Sequence, residues 1–371
     1  MRRMDHLRGA KEHILTTQGA DGAIPWFDGG PWDAWNHAEC LMALDAMGED
    51  DAAARGFDYL ARAQETGGGW LCGYGNALPM QDRLRIARVA APQVRDTNFA
   101  SYPATALWRR YLQHGDRTFV ERYWPMIRDA TRFVLGLQHP DGDIAWCEEA
   151  FGTTADDAVL AGCASIHRSL EHAIALATLV GDPQPGWASA RTRLGDAIRS
   201  RPERFDRAGQ DRSGFAMDWY YPVLNDVLPA PDSLARLGFG RARFIEEGRG
   251  CRCVATQPWV TVAESAELAL TLIGLGLHPQ AATLLRWQEA HRDADGAYWM
   301  GWQYAEDIPW PLEKPTWTQA AMILAHDALS GATGASHVLC ARAMPRAYTR
   351  LSRRRLATPG RGSNRPDAQA S

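Results

Sequence analysis

The chain has 371 residues, 46% of them hydrophobic, which is enough for one large domain or two small ones. A formal net charge of -4 gives no electrostatic ground for a nucleic acid or an anionic membrane as partner, so the expected ligand is a small molecule or neutral glycan. Seven scattered cysteines without a CxxC pair argue against a disulfide framework and against a zinc site.

The N-terminal residues MRRMDHLRGAKEH pass straight into a charged amphipathic stretch, with no apolar run of the kind secretion requires. No later window holds eighteen uninterrupted apolar residues, so an unanchored cytoplasmic protein is expected. Four segments then repeat one pattern, a glutamine followed by a glycine turn and a tryptophan: Gln18 to Trp26, Gln64 to Trp70, Gln138 to Trp146 and Gln288 to Trp299. Gly22, Gly68, Gly142 and Gly296 supply the permissive backbone that stops a helix, and the ring covers the helix end. The first two repeats lie 46 residues apart, about one helical hairpin, and the longer later gaps must hold further hairpins or insertions.

Between the turns the apolar residues fall at helical spacing, as in Val159, Cys163, Ile166, Leu170, Ile174 and Ala177, closed by Gly181. Thr261 precedes Glu264 by three residues, the spacing of a capping box, and Pro315 opens a helix that Gly331 ends. No run of alternating residues between turn signals appears, so a sheet of any size is not expected. The expectation is an all-α toroid of roughly six helical hairpins over residues 1–340. A basic, disordered tail over 341–371 (RAMPRAYTRLSRRRLATPGRGSNRPDAQAS follows its first residue) completes the chain. Long connections near 70–95, 201–217 and 293–312 mark where function concentrates.

Two acidic clusters stand out. DGDIAWCEEAFGTT places Asp143, Trp146, Glu148 and Glu149 ahead of a helix expected to begin near Ala155. A carboxyl beside tryptophan loses solvation and its pKa rises, as a general acid at neutral pH requires; the same loop also suits a plain acidic helix N-terminus. In DIPWPLEKPTWTQ, Glu313 stands just before a helix whose dipole keeps a carboxylate ionised, as a base activating water requires; a surface Glu313 paired with Lys314 is the alternative.

Fifteen tryptophans, many beside polar residues, suit the stacking of sugar faces, and Trp26, Trp32, Trp35, Trp146, Trp219, Trp259, Trp302, Trp310 and Trp317 are the candidate rings. Asp33, Asn36, Arg95, Asp96, Asn98, Asp218 and Gln303 are the candidate partners for hydroxyl groups. Phosphate loops, serine elbows and HExxH motifs are missing, so neither cofactor nor metal is expected.

The segments DIAWCEEAFG and PLEKPTWTQAAMILA resemble the acid loop and the base segment of the six-hairpin, glucoamylase-like glycosidases. The resemblance implies an (α/α)6 barrel with Glu148 as acid and Glu313 as base. Cys147, inserted after Trp146, keeps Glu149 a candidate beside Glu148. The expected activity is hydrolysis of a glycosidic bond with inversion. The Gln-Gly-Trp turns also resemble those of terpenoid cyclases and protein prenyltransferase β-subunits, whose acid and zinc motifs are missing here. An isoprenoid enzyme and a non-catalytic glycan-binding toroid are the alternatives.

Overall fold

A computed structural model describes residues 2–74, 94–149, 152, 154–209 and 211–340. The expected tail and the middle of the first long connection, 75–93, lie outside the described residues.

Among the described residues six hairpins follow one another: α1 (Arg8–Thr17) with α2 (Ala34–Ala46); α3 (Asp50–Arg62) with α4 (Thr97–Ser101) and its continuation α5 (Pro103–His114); α6 (Arg117–Gly136) with α7 (Leu160–Val180); α8 (Trp187–Ser200) with α9 (Ala216–Leu224); α10 (Ala230–Phe244) with α11 (Val262–Gly274); and α12 (His278–Gln288) with α13 (Thr316–Ser330). The second members form an inner ring in which each packs on the next, and α13 closes onto α2. Composition decides which helix is inner. In α2 eleven of thirteen residues are buried, many of them alanine that lets backbones approach closely, whereas amphipathic α3 buries five of thirteen and lies outside. The fold is an (α/α)6 toroid.

The repeated turns are the mortar of the outer ring. Gln18 Nε2 donates to the Gly22 carbonyl (3.2 Å) and to Ala52 of α3 (3.0 Å). Gln64 does the same to Gly68 and Met126 of α6, and Gln138 to Gly142 and Ala190 of α8, each at 2.9 Å. Each glycine has positive φ, and a Cβ there would collide with the neighbouring helix backbone, at Arg55, Asp129 and Arg193. Thus each glycine both ends one hairpin and admits the next. The fourth turn departs from this pattern: Gln288 reaches Arg249, while Gly296 packs on Gly9 of α1 and joins the last repeat to the first.

Among the described residues, two small antiparallel sheets correct the expectation that no sheet of any size forms. One pairs β1 (Arg95–Asp96) with β2 (Cys147–Glu148). The other runs in sequence order through β3 (Ile245–Glu246), β4 (Gly250–Arg252), β5 (Trp259–Thr261), β6 (Gly301–Gln303) and β7 (Ile308–Pro309). Strands of two or three residues are too short to show alternation. One boundary also moves. α7 begins at Leu160 rather than near Ala155, because Thr154 bridges Glu148 and the Asp157 carbonyl accepts the Trp146 N–H, which commits those residues to the preceding loop. Thr261 is the residue before α11 as expected, yet its side chain makes no capping bond.

At the end of the ring away from these strands, Arg109 of α5 donates to Asp327 of α13 (2.5 Å) and to the Met42 carbonyl of α2 (3.0 Å). Both partners of this ion pair are 1% exposed. All seven cysteines are free, and among the described residues no helix is long and apolar enough to cross a membrane.

Candidate active site at the inner-helix N-termini

Every connection from an outer helix to its inner partner arrives at one mouth, so six inner-helix N-termini converge there. Their positive dipole ends favour acidic groups. Asp33 caps α2, accepting from Asn36 N (2.8 Å), from the Asn36 side chain and from Trp26 Nε1 (2.6 Å). Asp96 caps α4, accepting from Phe99 N (3.0 Å).

Rings wall the opening on three sides. Trp26 meets Trp317 of α13 edge to face at 5.2 Å. Trp259 meets Trp310 at 4.9 Å and donates to its carbonyl (2.6 Å). Trp35 meets Phe99, Tyr102 and Tyr221 at 5.6, 5.7 and 6.1 Å. Between Trp35, α4, Trp146, α7 and Met217 of α9 lies a cavity of about 180 Å³ lined also by Asp96 and Asn98. Desolvation in this surround pushes the Asp96 carboxyl up to about 7 against the pull of the Phe99 and Asn98 N–H groups, with the charge of Asp33 adding to the rise.

Glu148 sits on the strand beside this cavity. Strand register sets Arg95 opposite Glu148 and Asp96 opposite Cys147, and the Arg95 guanidinium pairs with the Glu148 carboxylate while also donating to the Thr66 carbonyl (2.8 Å). Glu149 is exposed on the same loop. Glu313, 9% exposed, lies between the Trp310 hairpin and the start of α13; its carbonyl accepts from Met300 N (2.8 Å), and Thr316 N donates to the Trp26 carbonyl (2.8 Å). The Lys314 ammonium is committed to Asp293 and Asp295.

Five expected ligand residues are engaged with other parts of the protein. Trp32 is core, its Nε1 bound to His37 Nδ1 (2.8 Å). Trp219 stacks on Phe244 at 5.1 Å and holds α9 to α10. Asp218, which burial pushes up to about 7, sits in the first turn of α9, accepts from Ala161 N at the start of α7 and lines a separate cleft with Arg236 and Phe244. Trp302 stacks on His291, and Gln303 braces the β6–β7 turn through Glu306 N. Asp143 also leaves the acidic cluster. Burial would raise its pKa, but bonds from Arg204, Arg207 and His139 outweigh that and hold it below the usual carboxylate range.

A further acidic group lies deeper in the ring, unforeseen. Glu39 of α2 and Glu267 of α11 face a small axial space with Tyr102, Arg168 and Tyr221. Burial, then the charge of Glu267, raises Glu39 well above its ordinary value. Glu267 is pushed up to about 7 by burial despite hydrogen bonds from Tyr220 and Tyr221. A carboxyl inside an apolar stripe, as in AECLMALDA, was the available signal. Among the described residues one metal-type trio, Asp45, Asp50 and His114, gathers at the opposite end of the ring, where Asp45 already pairs with Arg110.

No family model matches the sequence. The MMP endo-(1,4)-3-O-methyl-α-D-mannosidase of Mycolicibacterium hassiacum is 40% identical over 342 residues, 92% of this chain and 91% of that protein. A solved wild-type glycosidase superposes with a TM-score of 0.66 at 14% identity, covering 90% of this chain and 98% of its own. A D-mannose isomerase does so at 0.66 and 11%, covering 89% and 97%. The GH63 mannosylglycerate hydrolase of Thermus thermophilus follows at 0.63 and 13%, covering 85% and 99%. At these identities the three structures speak for the toroid alone.

Proposed function

This chain belongs to the family of the MMP endo-(1,4)-3-O-methyl-α-D-mannosidase, a carbohydrate-active family, and from that premise we propose that it hydrolyses a mannosidic bond within a partly O-methylated mannose oligosaccharide. Two carboxyl groups at the mouth do the work. Asp96 donates its proton to the glycosidic oxygen as the bond to the anomeric carbon breaks. Glu313 takes a proton from the water that attacks the opposite face of that carbon, so the product anomer is inverted.

The observation that carries this reading is the Asp96 carboxyl, pushed up to about 7 inside a cavity walled by Trp35 and Trp146. Such a group still holds its proton about half the time at neutral pH, whereas the Glu148 side chain is engaged in an ion pair with Arg95. Glu148 is then a positioning residue. The rings at the mouth offer stacking faces, and Asn36 and Asn98 offer polar contacts for hydroxyl groups. The chemistry requires no cofactor.

The test is incubation of the purified chain with (1,4)-linked mannose oligosaccharides of defined methylation, products being read by mass spectrometry and by the anomer first released. Internal cleavage abolished by Asp96→Asn and by Glu313→Gln is expected. Intact oligosaccharide after prolonged incubation with wild-type protein removes the hydrolase reading. The isoprenoid alternative predicts instead a closed apolar interior, and the polar axis of Glu39, Arg168 and Glu267 opposes it.

A further inference from the structure

Resting on the reading of the mouth as a sugar site, we propose that the cavity between α4 and α7 is the subsite that recognises O-methylation, seating a methoxyl group against α7 while Asn98 accepts a hydroxyl of the same sugar. Its size suits one sugar residue. A volume of about 180 Å³ corresponds to roughly six waters at about 30 Å³ each, well below a site for a whole oligosaccharide.

Its lining is unusual for a sugar site. Ile144, Val159, Ile166 and Met217 present hydrocarbon or thioether surface. Of the polar groups there, the Thr97 hydroxyl is already given to the Ala145 carbonyl (2.7 Å) and the Cys163 thiol to the Ile144 carbonyl (3.4 Å). Asp96 and Asn98 remain as side-chain acceptors for the ligand. Asn98 is 6% exposed, and its Oδ1 has no hydrogen-bond partner among the described residues, an arrangement that a bound hydroxyl would complete. An unmodified hexose in this space would bring further hydroxyl groups against Ile144 and Ile166 with nothing to bond them, which is costly. Methylation of one such hydroxyl removes its donor and adds apolar area, which turns that cost into a gain.

Gly162 keeps the space open. It faces Asn98 from α7, and a Cβ there would stand 3.6 Å from the Asn98 Cβ and 3.7 Å from that of Val159, ordinary contact distances. Gly162→Ala therefore narrows the cavity without a clash, and an alanine inside a helix favours folding.

The experiment measures binding rather than turnover. Calorimetric titration of the full chain with methyl 3-O-methyl-α-mannoside and with methyl α-mannoside is run on wild type, on Gly162→Ala and on Gly136→Ala, a control on exposed α6 where a Cβ meets nothing within 4 Å. Wild type and the control are expected to favour the methylated sugar by about tenfold or more, the usual discrimination for one methyl group in a fitted pocket. In Gly162→Ala that ratio falls at least about fivefold. Equal affinities in wild type, no binding of either sugar, or a ratio unmoved by Gly162→Ala each overturns the proposal. A preserved preference that Gly162→Ala removes, in a protein that cleaves nothing, sustains the subsite and sinks only the hydrolase reading.

Discussion

Arg95 and Glu148 are joined twice, as register partners in the β1–β2 ladder and as an ion pair across it. The neighbouring rung sets Asp96 opposite Cys147, so the pair fixes the strand from which the proposed acid projects. Both side chains are about four-fifths buried, where a charge pair couples more strongly than at the surface. In a double-mutant cycle, Arg95→Gln and Glu148→Gln are each expected to lower kcat/KM about tenfold, with the double variant little worse than either. The pH profile of the surviving activity should shift in each. Additive losses would show that the two residues act separately.

Stability should fall as the solution is made alkaline. Asp96, Asp218 and Glu267 are each pushed up to about 7 in the folded protein, by burial before all else. A carboxyl whose folded pKa exceeds its unfolded value near 4 stabilises fully below that lower value, and the contribution is lost as pH rises through about 7. Asp143, held low, acts in the opposite sense but only as the pH falls below about 4. Thermal unfolding should therefore give a Tm a few degrees higher near pH 5.5 than near pH 8. Asp96→Asn should shrink that gap, being about 1 to 2 kcal/mol more stable than wild type at the alkaline end. A Tm that rises across the same range contradicts the assignment.

The glycine turns predict a graded pair of variants. At Gly68, with φ of +100°, an added Cβ collides with the Asp129 carbonyl of α6; at Gly48, with φ of +80°, it meets nothing within 4 Å. Gly48→Ala should cost about 1 kcal/mol for backbone strain alone, and Gly68→Ala at least about 3 kcal/mol. Urea unfolding measures both. Equal losses would mean that close approach of α3 and α6 contributes nothing.

The Arg109 and Asp327 pair ties α2, α5 and α13 together at the end opposite the mouth. Asp327→Asn leaves a buried guanidinium short of its counter-charge and should cost about 3 to 5 kcal/mol. Turnover per folded molecule should be unchanged at temperatures where the variant remains folded. A drop in turnover alone would place the pair in the chemistry instead.

How far the sequence could be read follows from how local each signal is. Gln-Gly-Trp turns are written within about ten residues, so the hairpins, the ends at Gly181 and Gly331 and the helix opening at Pro315 were all legible. The contact of Gly296 with Gly9 that closes the ring joins opposite ends of the chain and leaves no local trace. Asp96 was legible as a polar group near the mouth but not as the proposed acid, because the rings that desolvate it come from α2 and from the loop before α7. Glu39 and Glu267 were hidden by their company, since apolar residues on either side made their helices read as core. Trp32 and Trp219 misled in the opposite direction: polar neighbours in sequence did not become neighbours of the mouth in space.

The most direct test of the catalytic assignment compares kcat on one methylated (1,4)-mannose oligosaccharide for Asp96→Asn and Glu148→Gln. Asparagine can still cap α4, so the first substitution removes the proton while leaving the helix start intact. Asp96→Asn is expected to lower kcat by about 10³-fold with an unchanged circular dichroism spectrum, and Glu148→Gln by no more than about tenfold. Retention of more than a tenth of wild-type kcat by Asp96→Asn, with the larger loss at Glu148→Gln, would contradict the account and return the acid role to Glu148.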